Sequence, residues 1–211
     1  SVVPASRRVP QETGIVNVVA IQRGTVYPNR YVLMAGDIDS RASSGNDAET
    51  DAPGANDNAT GMAGAMEAAR LLTQHTFPTS IIYVGLSGEE QGLLGGRALA
   101  ETAREEGWDS FAVLNNDMIG NTVGDNGVKD NTTFRVFSEP NPYTDELGDY
   151  RRRRTFGGEV DGPSRQIARY VDRIADLYFP TLKAIMVYRL DRFGRGGHHR
   201  PFNDVGFTGV R

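Results

Sequence analysis

The chain has 211 residues, with 23 lysines and arginines, 27 aspartates and glutamates, and a net charge of −4. This mildly acidic balance excludes an electrostatic case for nucleic-acid binding, and the lack of cysteine excludes disulfides and thiol nucleophiles. The sequence contains no apolar run of the length that a membrane-spanning helix requires. Its length fits a single domain over residues 1–211.

Short apolar runs bounded by glycine, proline or asparagine predict buried strands along the chain. These runs cover residues 15–21, 31–36, 81–86, 111–114, 133–137 and 182–188. Between them, apolar residues recur at helical spacing over residues 62–72 and 167–177. The alternation predicts an α/β domain in which helices cover both faces of a largely parallel sheet.

Two further segments complete this outline. Residues 161–166 predict the start of a helix, with Pro163 in its first turn and Asp161 or Ser164 as the N-cap residue. The stretch 120–162 is rich in glycine, asparagine, aspartate and arginine, and it contains only one clear strand. We therefore expect it to form loops over one face of the sheet rather than a second domain.

Acidic residues follow one predicted strand after another. Asp37 and Asp39 come after 31–36, Glu89 and Glu90 after 81–86, and Asp117 after 111–114, while His199 follows the last strand. Because the ends of parallel strands lie side by side, these side chains should converge, and their repulsion requires a bound cation or raised pKa values. Aspartate, glutamate and histidine together favour a divalent metal such as zinc. The alternative is that each carboxylate caps its own helix or turn.

Four segments carry a more specific signal, and they are PGANDNATGMAGAMEAARLL (53–72), SGEEQGLLGGRALA (87–100), NNDMIGN (115–121) and GGHHRPFNDVGF (196–207). In order and spacing they resemble the twenty-eighth family of metallopeptidases, which contains two-zinc aminopeptidases and their carboxypeptidase relatives. The resemblance extends from about residue 14 to the end of the chain. It implies a three-layer α/β/α fold with a mixed, largely parallel central sheet, a peptide substrate and two zinc ions.

The resemblance also implies roles for individual residues. Asp57 matches the carboxylate that bridges both zinc ions. Glu90 and His199 match ligands of one zinc ion, and Asp117 matches a ligand of the other. Glu89 matches the general base, which takes a proton from the water that attacks the peptide carbonyl.

The chain departs from the family pattern at two positions. The family reads Gly-His-x-Asp-Ser at the first strand end, and this chain has Asp37 in place of the histidine ligand. The family usually has an aspartate before its last histidine, and this chain has His198, as if histidine and aspartate had been exchanged. With Asp37 as a ligand beside Asp57 and Asp117, one half-site has no nitrogen donor and suits Mn²⁺ or Mg²⁺ better than zinc. His198 is either a substitute ligand or an exposed loop residue.

Three other features follow from the same pattern. Asp39 matches the family residue that orients the missing imidazole, so here we expect it to bond to backbone or water instead. Tyr188, at the end of the last predicted strand, is a candidate donor to the developing oxyanion, the alternative being a packing role. The family further implies a cis peptide bond between Asp57 and Asn58.

The interpretation that best accounts for these residues is a zinc-dependent exopeptidase that removes N-terminal residues, because an acidic pocket attracts a free amino terminus. A carboxypeptidase needs a cation for the substrate carboxylate, and the candidates are Arg189, Arg192, Arg195 and Arg200. Two alternatives stay open, a one-zinc enzyme similar to glutaminyl cyclases and a non-catalytic domain that kept the fold.

The resemblance carries two expectations about the whole protein. Members of the family are often exported, so we expect a secreted or periplasmic location. Family domains continue beyond the segment FTGVR with another strand and a closing helix, so we expect the C-terminal part of the domain to be missing from this chain.

Overall fold

The computed structural model describes residues 1–140, 146–188 and 196–211. Nine strands lie in these ranges: β1 (Val2–Val3), β2 (Thr13–Gly14), β3 (Val18–Gln22), β4 (Tyr27–Asp37), β5 (Thr79–Leu86), β6 (Asp109–Asn115), β7 (Thr133–Ser138), β8 (Lys183–Tyr188) and β9 (Gly209–Val210). The α-helices in the same ranges are α1 (Thr60–Leu72), α2 (Leu94–Glu105), α3 (Leu147–Thr155), α4 (Pro163–Tyr178) and α5 (His199–Asp204). Among the described helices, none is long and apolar enough to cross a membrane.

Five strands form the central sheet in the order β3-β5-β4-β6-β9. β3 runs antiparallel to β5, and the other neighbouring pairs are parallel, which confirms the predicted mixed, largely parallel sheet. Asp37 of β4 lies opposite Leu86 of β5, and Ala35 lies opposite Asn115 of β6. The three central strands therefore end at the same edge of the sheet, and the loops that follow them start there.

Helices cover both faces of this sheet, which confirms the three-layer architecture. Leu33 and Ala35 pack with Phe202 of α5 in the main core, to which α2 also contributes. Gly36 faces α1 on the other side, since a Cβ added to it would lie 2.8 Å from the α1 backbone. Successive residues of a strand point to opposite faces, so Asp37 returns to the face that α2 and α5 cover.

The strands β7 and β8 form a separate two-stranded parallel sheet. Phe137 and Arg211 exchange backbone hydrogen bonds of 2.7 and 3.0 Å, which join this sheet to the end of β9. Ala168 of α4 shares a second core cluster with Val136 and Val210. The C-terminal segments β7, β8 and α4 thus pack against the end of the central sheet and do not form a separate unit.

Two predictions about secondary structure were wrong in part. β3 is not buried: Val18 is 63% exposed, because the strand lies at the edge of the sheet and pairs only with β5 among the described strands. The stretch 120–162 is not all loop, since it contains the helix Leu147–Thr155 as well as β7. That helix has the sequence LGDYRRRRT, which carries no apolar stripe from which a helix could be predicted.

The predicted cap of α4 also needs correction. Pro163 lies in the first turn, as predicted, but the N-cap residue is Gly162, and neither Asp161 nor Ser164 occupies that position. The Ser164 hydroxyl instead donates a 2.7 Å hydrogen bond to the carbonyl oxygen of Gly209 and accepts one from a backbone N–H in the loop after β7. Its tertiary contacts with β9 take the place of a local cap.

The contact between β4 and α1 generates a first prediction. We expect Gly36→Ala to lower the free energy of unfolding by about 1–3 kcal/mol, because the new methyl group meets helix backbone that cannot rotate away. Gly14→Ala is the matched control, since a Cβ at Gly14 has no neighbour within 4 Å, and its effect should stay within about 0.5 kcal/mol. Denaturant titrations of both variants measure the difference, and equal stabilities would contradict this packing.

Candidate metal centre

The central strands bring the predicted site residues to one edge of the sheet. Three of the central strands lead to acidic residues: Asp37 ends β4, Glu89 and Glu90 lie in the loop between β5 and α2, and Asp117 is two residues beyond β6. The other two residues belong to helical segments, because Asp57 lies in the turn Ala55–Ala59 before α1 and His199 begins α5. Because β5, β4 and β6 are neighbours in that order, the side chains that follow them share one region of the protein.

The carboxyl groups of this region raise one another's pKa. Burial is the largest cause for Glu89, whose pKa rises to about 8, and the charges of Asp37 and Asp117 add to it. Burial likewise raises the pKa of Asp117 to about 6. The pKa values of Asp57 and Glu90 are also raised, mainly by burial. A poorly hydrated group of like charges favours binding either protons or a cation.

Asp39 fixes the loop that carries Glu89 and Glu90. The backbone N–H of Glu89 donates to Oδ1 of Asp39 at 3.1 Å, and the backbone N–H of Glu90 donates to Oδ2 at 3.2 Å. The expectation that Asp39 bonds to backbone is confirmed. One carboxylate thus holds two adjacent glutamates in a fixed register at the end of β5.

Asp37 is paired with His198 inside the protein. Nδ1 of His198 lies 2.6 Å from Oδ1 of Asp37, and neither residue is more than 2% exposed. A carboxylate only accepts hydrogen bonds, so the hydrogen-bond pattern assigns the ring proton to Nδ1. The interpretation of His198 as an exposed loop residue was wrong, because α5 begins in the interior and buries the residue before it.

Asn58 donates a hydrogen bond to the second carboxylate oxygen of Asp37. Its Nδ2 donates to Oδ2 of Asp37 at 2.6 Å and to the carbonyl oxygen of Asn116 at 2.9 Å, while its Oδ1 accepts from the backbone N–H groups of Gly61 and Met118. The peptide bond between Asp57 and Asn58 is cis, as the resemblance implied. Asn58 therefore links the ends of β4 and β6 to the start of α1.

Two arginines neutralise part of the cluster. Nη1 of Arg41 lies 3.3 Å from Oε2 of Glu90, and Nε of Arg211 lies 3.3 Å from Oδ2 of Asp117. Arg41 follows β4 by four residues, and Arg211 follows β9 directly. Neither arginine was predicted from the sequence, because no local pattern distinguishes them from the other arginines of the chain.

His199 is buried and has an acidic partner that the sequence analysis missed. Its Nε2 lies 3.2 Å from Oε1 of Glu139. Burial lowers the pKa of His199, and Glu139 opposes that shift to a smaller extent, so the ring favours the neutral form that binds metals. Glu139 comes directly after β7, and the rule that identified the other acidic residues at strand ends would have found it.

The donor set fits a divalent cation in its chemistry. Carboxylates and neutral imidazoles are zinc ligands, and two buried ring nitrogens, Nε2 of His198 and Nδ1 of His199, have no hydrogen-bond partner among the described residues. Within the described ranges, no three of the acidic and histidine side chains stand in an arrangement that would hold an ion. Glu90 and Asp117 are instead paired with Arg41 and Arg211, so metal binding requires these two ion pairs to open.

Tyr188 has neighbours that agree with a packing role. Its hydroxyl lies 3.8 Å from the sulfur of Met186, and the guanidinium carbon of Arg165 lies 4.2 Å from the centre of its ring. Neither neighbour belongs to the acidic cluster. Donation from Tyr188 to an oxyanion stays a prediction.

Comparison with known proteins agrees with the resemblance. Residues 17–210 match the family model described as Peptidase family M28. A probable zinc metalloprotease of Leptosphaeria maculans is 40% identical over 208 residues, which make up 99% of this chain and 48% of that protein. The chain spans about half the length of the curated relatives it matches.

Solved structures share the fold. The LapA aminopeptidase of Legionella pneumophila superposes with a TM-score of 0.63 at 20% identity, covering 96% of this chain and 44% of that one. A glutaminyl cyclase from an Acidobacteriales bacterium gives a TM-score of 0.60 at 17% identity, covering 94% and 57% of the two chains. At these identities the similarity shows the fold alone.

The raised pKa of Glu89 predicts a pH dependence of stability after treatment with a chelator. Between its ordinary pKa of 4.5 and its folded value of about 8, the folded protein holds a proton that the unfolded chain releases. The resulting stabilisation is complete below the ordinary pKa and is lost as the pH rises through 8. Glu89→Gln mimics the protonated form, so we expect it to reduce the loss of stability between about pH 6 and pH 8 by about 1 kcal/mol per pH unit.

The measurement is the free energy of unfolding at several pH values for both proteins. Glu101→Gln is the control, because Glu101 lies on the exposed face of α2 and should leave the pH slope unchanged. If Glu89→Gln keeps the slope of the parent protein, the carboxyl group is not protonated in this pH range.

Proposed function

Because the chain belongs to peptidase family M28, we propose that it is a zinc-dependent exopeptidase of the aminopeptidase type. The observation that carries this proposal is Glu89, a carboxyl group held beside Glu90 at the acidic edge of the sheet. Its pKa of about 8 lies close to neutral pH, where a general base transfers protons most effectively.

Two groups of residues would hold the metal. Asp57, Glu90 and His199 would bind one zinc ion, and Asp57 and Asp117 would bind a second with one further donor. When bound, zinc supplies polarisation of the peptide carbonyl and activation of a water molecule. The ion pairs that Arg41 and Arg211 make with these carboxylates would open on binding.

Glu89 performs the proton transfers of the reaction. Its carboxylate accepts a proton from the attacking water, and the same carboxyl group then returns that proton to the nitrogen of the leaving amine. One water is consumed, one C–N bond breaks, and Glu89 ends in its starting form. Asp39 holds the backbone N–H groups of Glu89 and Glu90 during both transfers through hydrogen bonds at 3.1 and 3.2 Å, so the base does not have to be repositioned.

The charge of the site favours a free amino terminus as the anchoring group of the substrate. Besides burial, the negative charge of Asp37 raises the pKa values of Asp57, Glu89 and Asp117, which indicates a negative potential in this region. A positively charged α-amino group relieves that potential on binding, whereas a terminal carboxylate increases it. The substrate class that fits is therefore a peptide with an unblocked N-terminus.

A carboxypeptidase is the second candidate, and one feature favours it. A cavity of about 260 Å³ beside Glu90 is lined by Arg7, Arg8 and Arg41, and arginine is well suited to carboxylate recognition. Of the arginines considered from the sequence, Arg200 lies 3.9 Å from Asp204, and Arg189, Arg192 and Arg195 lie outside the described residues. The assays below therefore include a substrate with a free carboxylate.

The substrate requirement gives a direct test. We expect the purified protein to hydrolyse an aminoacyl nitroanilide, to lose this activity on chelation and to regain it with zinc. Blocking the substrate amine by acetylation should slow hydrolysis at least about 100-fold, because the buried acidic groups lose their counter-charge. Release of nitroaniline and of amino acid measures the rates.

Other products would identify other functions. Hydrolysis of an N-acetylated peptide from its free carboxyl end would indicate a carboxypeptidase. Cyclisation of N-terminal glutamine without hydrolysis would indicate an enzyme similar to the glutaminyl cyclase that shares the fold. The lack of any reaction in the presence of zinc would favour a non-catalytic domain.

The assignment of Glu89 as the base gives a separate prediction. Glu89→Gln should lower kcat by about 10²–10⁴-fold while the zinc content per chain stays that of the parent, because Glu89 acts on water and is not a ligand. Glu101→Gln, on the exposed face of α2, should leave both quantities unchanged. Metal analysis and steady-state kinetics on the same preparations check this, and loss of zinc from Glu89→Gln would contradict the assigned role.

A further inference from the structure

We propose that His198 supplies, through Nε2, the nitrogen ligand of the half-site that contains Asp57 and Asp117, and that Asp37 positions this imidazole instead of binding the metal. The inference rests on the proposed function, since it assumes a zinc site at this edge of the sheet. It takes up the alternative of His198 as a substitute ligand, and it gives Asp37, which was the predicted ligand, a positioning role instead.

Asp37 is poorly placed to serve as a ligand. Both of its oxygens already have close partners at 2.6 Å, His198 on Oδ1 and Asn58 on Oδ2. Asn58 is itself tied to the backbone on both sides of the site, so it cannot move away without breaking those bonds. Binding a metal through Asp37 would cost this buried network, and a buried donor left without its partner costs about 1–3 kcal/mol.

The ring of His198 is held in one orientation. The bond from Nδ1 to Asp37 fixes one side of the ring, and the backbone of α2 approaches the opposite side so closely that a Cβ added to Gly96 would overlap Cδ2. The remaining nitrogen, Nε2, is fully buried and has no hydrogen-bond partner among the described residues. Buried polar atoms nearly always have a partner, so this unpartnered nitrogen is suited to binding a metal ion.

The segment that carries His198 lies beside Asp117, one of the carboxylates of the half-site. Gly197, the preceding residue, is so close to Asp117 that an added Cβ would lie 3.1 Å from its Oδ2. A metal-binding histidine commonly donates its second ring N–H to a carboxylate, which fixes the tautomer. Asp37 and His198 have this geometry, with the proton on Nδ1 and the free electron pair on Nε2.

The pair also explains the two departures in the sequence together. Position 37 carries an aspartate where a histidine was expected, and position 198 carries a histidine where an aspartate was expected. The structure places the two side chains in contact, so the exchange preserves one imidazole and one carboxylate in the same buried space. In this arrangement the half-site has a nitrogen donor, which it lacks when Asp37 is the ligand.

The test uses His198→Asn. The asparagine amide can still donate to Asp37 from the position of Nδ1, but it has no atom at the position of Nε2. After dialysis against zinc, we expect the zinc content to fall from about two ions per chain to about one, with the melting temperature of the chelated protein unchanged. His75→Asn is the matched control, because His75 is exposed, and it should keep the parent's zinc content.

X-ray absorption at the zinc edge gives a readout that a structural role would not change. In the parent with both sites filled, we expect about one imidazole per zinc ion, because His198 and His199 each bind one ion. About half an imidazole per ion would overturn the proposal, since only His199 would then be bound. If His198→Asn fails to fold, the double exchange Asp37→His with His198→Asp replaces it, and it should retain both zinc ions.

The outcomes separate this inference from the proposed function. A parent protein that binds no zinc overturns both. A parent that binds zinc with a content that His198→Asn does not change overturns the inference alone, and Asp37 and His198 then form a structural pair. Loss of one zinc ion from His198→Asn, with the parent imidazole count near one per ion, supports it.

Discussion

Several carboxyl groups share a poorly hydrated edge of the sheet. Their mutual repulsion must be relieved by protons, by neighbouring cations or by a bound metal, and the surrounding residues are arranged accordingly. Burial raises the pKa of Glu89 to about 8 and that of Asp117 to about 6, so part of the negative charge is relieved by bound protons at neutral pH. Arg41 and Arg211 relieve another part at distances of 3.3 Å. Such an arrangement is costly for stability, which is typical of sites whose charges are positioned for binding and catalysis.

The sheet concentrates these groups because the backbone around them is closely packed. Gly36 brings β4 against α1, Gly96 brings α2 against the ring of His198, and Gly197 brings the start of α5 against Asp117. At each position a side chain would meet backbone or a functional group, so these close approaches depend on glycine. The Asn58 side chain adds four hydrogen bonds among the same segments. The scaffold is therefore closely packed and hydrogen-bonded where the charges are concentrated, which suits a site that must hold its groups in place.

The buried pair of Asp37 and His198 brings one carboxylate and one imidazole into contact from two different elements, the end of β4 and the start of α5. An aspartate is shorter than a histidine, so at the end of β4 it leaves space in front of its carboxylate. The histidine at the start of α5 fills that space from the opposite direction, and its Nδ1 lies 2.6 Å from the carboxylate. Two substitutions far apart in the chain act as one change because the fold places them in contact.

The sequence by itself determined the alternation of strands and helices, the largely parallel sheet and the gathering of Asp37, Glu89 and Asp117 at its edge. These follow from local periodicity and from the rule that parallel strands end side by side. Only the tertiary structure decided which side chains contact one another and which strand is exposed. The contact of His198 with Asp37 joins residues separated by 161 positions, and the exposure of β3 depends on its place at the sheet edge. Long-range contacts of this kind arise from packing between elements, and no local pattern encodes them.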